Sequence, residues 1–157
     1  MVTRGFFVFL ALLRIAAGVS LFMAGLQKLA WFGSASTLDA KLAEWAQHPA
    51  NAAVARYLAF ITPHSGIFAR LAVLGELGLG LLLIAGFLTP LAALLAFLMV
   101  ANFQFGGGFM FSLGYLRGQS GLAYLLVYPV LFFGRAGTAL GMDGFISRAG
   151  RKAAAPT

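Results

Sequence analysis

Four long apolar segments dominate this chain, and they fix the solvent in which it can fold. Crossing a bilayer takes about 20 mostly apolar residues at a rise of roughly 1.5 Å each. Segments 6–26, 68–87, 91–111 and 120–133 meet or approach that requirement, the last being short enough to lie partly at the interface. Apolar residues make up 61% of the chain and charged residues 10%, against about 45–50% and 25% in soluble domains. Too few charges remain to cover a water-facing surface, which excludes a soluble enzyme. A secretory signal is the rival reading of the N-terminus, because Arg4 precedes an apolar run and Ser34, Ala35 and Ser36 resemble a cleavage site. That run is longer than the roughly 7–15 residues of such a signal and contains Arg14, so a span is preferred. The expectation is an all-α integral membrane protein. A four-transmembrane-helix bundle forms a single domain over residues 1–147, followed by a basic, disordered tail over 148–157.

The connections refine this picture. Thr89 stands where it can cap the third span, and Pro90 falls in that span's first turn, where its missing N–H costs nothing. Pro129 predicts a kink in the fourth span. Gly106, Gly107 and Gly108, set among Phe103, Phe105, Phe109, Phe111 and Tyr115, predict a loop packed on the bundle rather than a solvated linker. Loop one, residues 29–67, is too long for a plain connection. Leu38, Leu42 and Trp45 recur at helical spacing after a cap at Ser36 or Thr37, and a second short helix follows Pro49. Together they predict an amphipathic cap on one membrane face, with Trp31, Trp45, Tyr57 and Phe60 at headgroup depth.

The charge of +7 comes from Lys and Arg scattered over loops and helix ends, a pattern that suits anionic headgroups and not nucleic acid. Arg4, Arg135, Arg148, Arg151 and Lys152 fall on the side of the termini, against Lys28, Lys41, Arg56, Arg70 and Arg117 on the other. The counts balance, but the concentrated tail favours cytoplasmic termini in the cell (inner) membrane, with loop one on the opposite face. Absence of cysteine removes disulfides, thiolate metal sites and any dithiol relay. His48 and His64 both fall in loop one, where they do not suit a haem between facing spans, so neither haem nor metal is expected.

Arg14 and Glu76 carry the most information, because an ionisable residue at mid-span normally faces the bundle interior and a partner. Counted from Gly5 and Leu88 at one membrane face, they lie roughly 14 and 18 Å deep at ideal helical rise, which predicts an Arg14–Glu76 ion pair. Such a pair can fix helix register alone, or it can line a cavity. Arg14, Gly18, Leu21, Gly25 and Lys28 form one stripe on the first span, and Ala72, Glu76, Gly80 and Leu83 another on the second. Their glycines allow close helix approach or leave room for a flat ligand. Gln27, Lys28, Arg70, Asn102, Gln104 and Gln119 complete the polar candidates, as hydrogen-bond partners for quinone carbonyls or for an anion held by Lys28 and Arg70.

Ala24-Gly25-Leu26-Gln27-Lys28-Leu29 after an arginine in the first span, and Gly75-Glu76-Leu77-Gly78-Leu79-Gly80-Leu81-Leu82-Leu83 running to Gly86 and Thr89, resemble the DoxX/DoxD family of small four-helix membrane proteins. Gly134-Arg135-Ala136-Gly137 and Leu140-Gly141-Met142-Asp143 are similar to that family's glycine-rich ending on an aspartate, in the form of the thiosulfate:quinone oxidoreductase small subunits. The resemblance implies a membrane subunit that passes electrons from thiosulfate or another small sulfur compound to quinone. Pro90 stands where many relatives carry a basic residue, which weakens an anion site on that face. Two readings follow. In the first, Glu76 and Arg14 are catalytic, and Lys28, Gln27, Asn102, Gln104 and Arg70 bind substrate or quinone, the electron acceptor. In the second, the chain is a non-enzymatic subunit or small-molecule carrier that anchors a redox partner. A second oxidoreductase subunit, or an oligomer, is compatible with both.

Overall fold

A computed structural model describes residues 4–116, 120–138 and 140–153, and every regular element among them is helical. The elements are α1 (Arg4–Gln27), α2 (Ser36–Gln47), α3 (Ala52–Ile61), α4 (Ser65–Ala85), α5 (Thr89–Gly106), α6 (Leu113–Leu116), α7 (Ser120–Phe133) and α8 (Met142–Ala153). Helices α1, α4 and α5 are long and apolar enough to cross a membrane. With 14 residues, α7 spans about 21 Å, less than the roughly 30 Å of a hydrocarbon core. The four pack in a ring, α1 on α4, α4 on α5, α5 on α7, and α7 back on α1. Phe9, Leu12, Leu74, Leu81, Leu98 and Phe133 point outward, as side chains solvated by acyl chains do. The chain is an all-α membrane protein.

The largest interface joins α1 to α4, and its glycines explain why. A Cβ on Gly18 would lie 2.9 Å from the Gly80 carbonyl oxygen, and one on Gly25 2.9 Å from Leu77 Cγ. The glycine stripe is therefore filled by the neighbouring helix and leaves no room for a flat ligand. This register also overturns the depth comparison that paired Arg14 with Glu76. Any side chain on Gly86 would run into the Arg14 guanidinium, so Arg14 is level with the far end of α4. Gly5 lies nine residues, or roughly 14 Å, beyond that turn instead of beside it. Glu76 stands opposite the other end of α1 and meets Lys28.

Helix α4 ends in a Schellman turn: Gly86, with φ +66°, donates to Leu83, and Phe87 donates to Leu82. The expected Thr89 cap is not made, since its hydroxyl is buried without a partner. Asp143 supplies the cap from far along the chain, its carboxylate accepting from the N–H groups of Leu88 at 2.8 Å and Thr89 at 2.9 Å. Arg14 donates to the carbonyls of Ala136 at 3.2 Å and Leu140 at 2.9 Å. A clasp of α1, the α4–α5 turn and residues 134–138 and 140–143 results. It starts α8, so residues 148–153 of the expected disordered tail are helical. The reason is periodic: Met142, Phe145, Ile146 and Ala149 share one face of α8. Arg117, Gln119 and residues 154–157 lie outside the described residues.

The third span stops at Gly106, not at 111. Beyond it Gly108 turns with φ +69°, and Phe109–Phe111 forms a single 3₁₀ turn. These aromatics do pack on the cap: Trp45 meets Phe109 and Tyr57 meets Phe105, both edge to face. The cap itself is α2 and α3, the latter begun by Asn51, whose side chain accepts from Ala53 and Val54. Leu38, Leu42, Val54, Leu58 and Ile61 bury their faces against Ala69 and Val73 of α4. Trp31 is buried in the same cluster, and Trp45 and Tyr57 are half-buried beneath the cap. Of the four aromatics expected at headgroup depth, Phe60 alone points outward.

Candidate functional site: a polar cavity between α1, α4, α5 and α7

Lys28, the residue just after α1, reaches Glu76 of α4 with Nζ 2.5 Å from Oε1. Among the described residues this is the one salt bridge between side chains. Glu76 is 4% exposed, and its second oxygen, Oε2, has no hydrogen-bond partner. The pair borders a cavity of about 270 Å³, walled also by Ser20, Ala24, Phe103, Gln104, Gly121, Tyr124 and Tyr128. Tyr128 is 1% exposed and its hydroxyl, too, is unpartnered. Tyr124 shares a 2.6 Å hydrogen bond with Ser20 and stacks on Tyr128 at 6.5 Å between ring centroids. Lys28 Nζ also lies 5.8 Å from the Trp31 ring and 5.7 Å from Phe103, so its charge faces a carboxylate and two aromatic walls.

The glycine entering α7 has a local purpose here. A Cβ on Gly121 would collide with the Gln104 side chain, so glycine lets that amide lie across the cavity. A smaller cavity of about 160 Å³ shares Lys28, Phe103 and Gln104 and continues towards Trp31, Lys41 and Trp45 of the cap side. A third, of about 300 Å³, lies between the cap and α4–α5. It is apolar apart from the 2.5 Å hydrogen bond that Tyr57 donates to Asn102.

The structure thus divides the candidates read from the sequence. Glu76, Lys28 and Gln104 come together at one cavity. Asn102 belongs to the apolar cavity beneath the cap. Gln27 is exposed and makes no cavity contact, and Arg70 is exposed with its Nε 3.4 Å from the Phe32 carbonyl; neither joins Lys28. Arg14 is fully buried in the clasp at the other end of the bundle. The predicted Arg14–Glu76 ion pair does not exist, because antiparallel α1 and α4 are offset by their glycine contacts.

The model of the DoxX family matches residues 9–105, more than half of the chain. The chain belongs to the DoxX family. No curated protein and no solved structure matches it. The matched DoxX region contains Arg14, Lys28, Glu76 and Gln104 but stops before Gly121, Tyr124 and Tyr128, which the sequence reading did not single out. Their signal was present: Tyr124 and Tyr128 are four apart with Gly121 three before, one face of α7, and Ser20, Ala24 and Lys28 repeat every four along α1. Chemically, the cavity offers an ammonium, an amide and tyrosine hydroxyls as donors, and one carboxylate oxygen as an unused acceptor.

Proposed function

We propose that this DoxX protein is the membrane subunit of a quinone-linked oxidoreductase, with the Lys28–Glu76 cavity as the quinone site. The observation that carries the reading is a pair of buried side chains, Glu76 and Tyr128, that line one cavity and each keep a polar atom without a partner, Oε2 and the hydroxyl. Native proteins rarely leave such groups unpaired, and two of them on the lining of one cavity support a ligand with polar atoms there. The residues suit a quinone ring: Phe103 and Tyr124 offer flat apolar walls, and Lys28 and Gln104 can donate to a carbonyl oxygen. Bound there, a quinone supplies a two-electron, two-proton acceptor. Lys28 orients Glu76 through Oε1, leaving Oε2 to hold and hand over a proton at the cavity, a general acid–base role. Arg14, expected as catalytic, is reassigned to holding the clasp.

The electrons come from a small sulfur compound, thiosulfate first, either at the cavity or through a second subunit. The cell membrane with cytoplasmic termini is the setting this reading adopts. The test is quinone reduction by the purified protein in lipid, with thiosulfate, sulfite and sulfide offered in turn beside Glu76→Gln. Turnover abolished in the variant is the expected result; silence with every donor from folded protein refutes a self-sufficient enzyme. One observation favours the carrier reading instead: Lys28 and Glu76 neutralise each other, as purely structural pairs do. In that case a Lys28→Met/Glu76→Leu double variant keeps both fold and partner binding.

A further inference from the structure

The unused oxygen of Glu76 has a direction that the rest of the cavity lacks. A carboxylate paired with an ammonium is an acceptor only, and Oε1 is already taken by Lys28 at 2.5 Å. While Glu76 is ionised, a ligand atom that reaches Oε2 must therefore carry a hydrogen to donate. The two oxygens of a quinone are carbonyls, which only accept, and against Oε2 they would place acceptor on acceptor. The two oxygens of a quinol are hydroxyls. Each can donate to a carboxylate while accepting from a neighbouring donor. Lys28 has such donors to spare, since an ammonium offers three and Glu76 uses one.

Taking the proposed quinone site as its premise, we propose that the cavity discriminates between the two redox forms of its ligand and holds the quinol more tightly than the quinone, with Glu76 as the specificity-determining residue. The ring hydroxyl donates to Oε2 and accepts from Lys28 or Tyr128. Burial sharpens the choice, because Glu76 is 4% exposed and water cannot readily substitute for the missing donor. The conversion that the site favours is quinone plus two electrons and two protons to quinol, the electrons supplied by the sulfur donor class named above. A tenfold tighter grip on the quinol raises the midpoint of the bound two-electron couple by about 30 mV.

The experiment is anaerobic binding of a short-tailed benzoquinone, and separately of its quinol, to the full chain in lipid nanodiscs. The expected result is at least a tenfold lower Kd for the quinol. In Glu76→Gln, whose amide can donate as well as accept, the ratio falls to near one while the melting temperature shows the protein folded. Equal Kd values for the two forms, or tighter quinone, overturn the proposal, and this wild-type ratio decides even if the variant does not fold. A quinol preference that survives in Glu76→Gln overturns the assignment to Glu76. Binding of neither form by folded protein refutes the quinone site itself.

Discussion

Replacing Arg14 with methionine separates the clasp from the cavity. The guanidinium is fully buried and donates to the carbonyls of Ala136 and Leu140. Without it both carbonyls lose a charged donor, and an unsatisfied buried group costs about 1–3 kcal/mol. Some of that is offset because a buried cation is itself expensive and methionine is not. The balance is a loss of about 2 kcal/mol, taking the buried Ala136 carbonyl at mid-range and the part-buried Leu140 carbonyl at the low end, less the relief of desolvation. At roughly 2–4 °C per kcal/mol for a chain of this size, the melting temperature in lipid or detergent should fall by roughly 4–8 °C. Ligand binding at the Lys28–Glu76 cavity, at the other end of the bundle, should change little below the melt. The opposite pattern, an unchanged melting temperature with binding abolished, would show that Arg14 serves the site and that the clasp is incidental.

Two further outcomes follow from the same geometry. Asp143→Ala removes both acceptors from the start of α5, an N-cap made at a distance, and should lower stability by about 1–2 kcal/mol, with Asp143→Asn falling between it and wild type in the same melt. Gly80→Leu places a side chain where a bare Cβ would already be 2.9 Å from the Gly18 carbonyl. It should abolish the α1–α4 contact and shift the purified protein to aggregate on size exclusion, whereas Gly78→Leu, where a Cβ meets nothing, should elute normally.

The spans were legible because apolar length is a property of composition, and the cap because Leu38, Leu42 and Trp45 keep helical spacing on a polar background. The third span ends five residues before its apolar run does, since phenylalanines on both sides of Gly106 hide the point where the helix ends. Pairing of the buried charges was not legible. It depends on how far α1 slides along α4, and that is set by where Gly18, Gly25 and Gly80 let the backbones meet. A shift of a few turns leaves every hydropathy window intact and changes the partner of Glu76 from Arg14 to Lys28. The cavity's far wall was hidden for another reason: Tyr124 and Tyr128 share a face with Gly121, but in an apolar helix where tyrosine is ordinary that spacing does not by itself mark a site, and it takes their unpartnered or shared hydroxyls to do so.

The clasp gives the glycine-rich stretch between residues 134 and 143 a physical meaning. Gly137 has no room for a side chain beside the Asp143 carboxylate and the Thr89 hydroxyl, and Gly141 has none beside the Arg14 guanidinium. Gly86 meets the same guanidinium from the α4 side. Three glycines, one arginine and one aspartate thus form a single packing unit, joining residues 14 and 143 across most of the chain. With Arg14 committed there, its charge answers backbone carbonyls and the nearby Asp143. Glu76 is left with Lys28 as its counter-charge, at the end of the bundle under the cap. Structure and chemistry therefore draw on different charged residues at opposite ends of α1, which is why a variant at one end should leave the other intact.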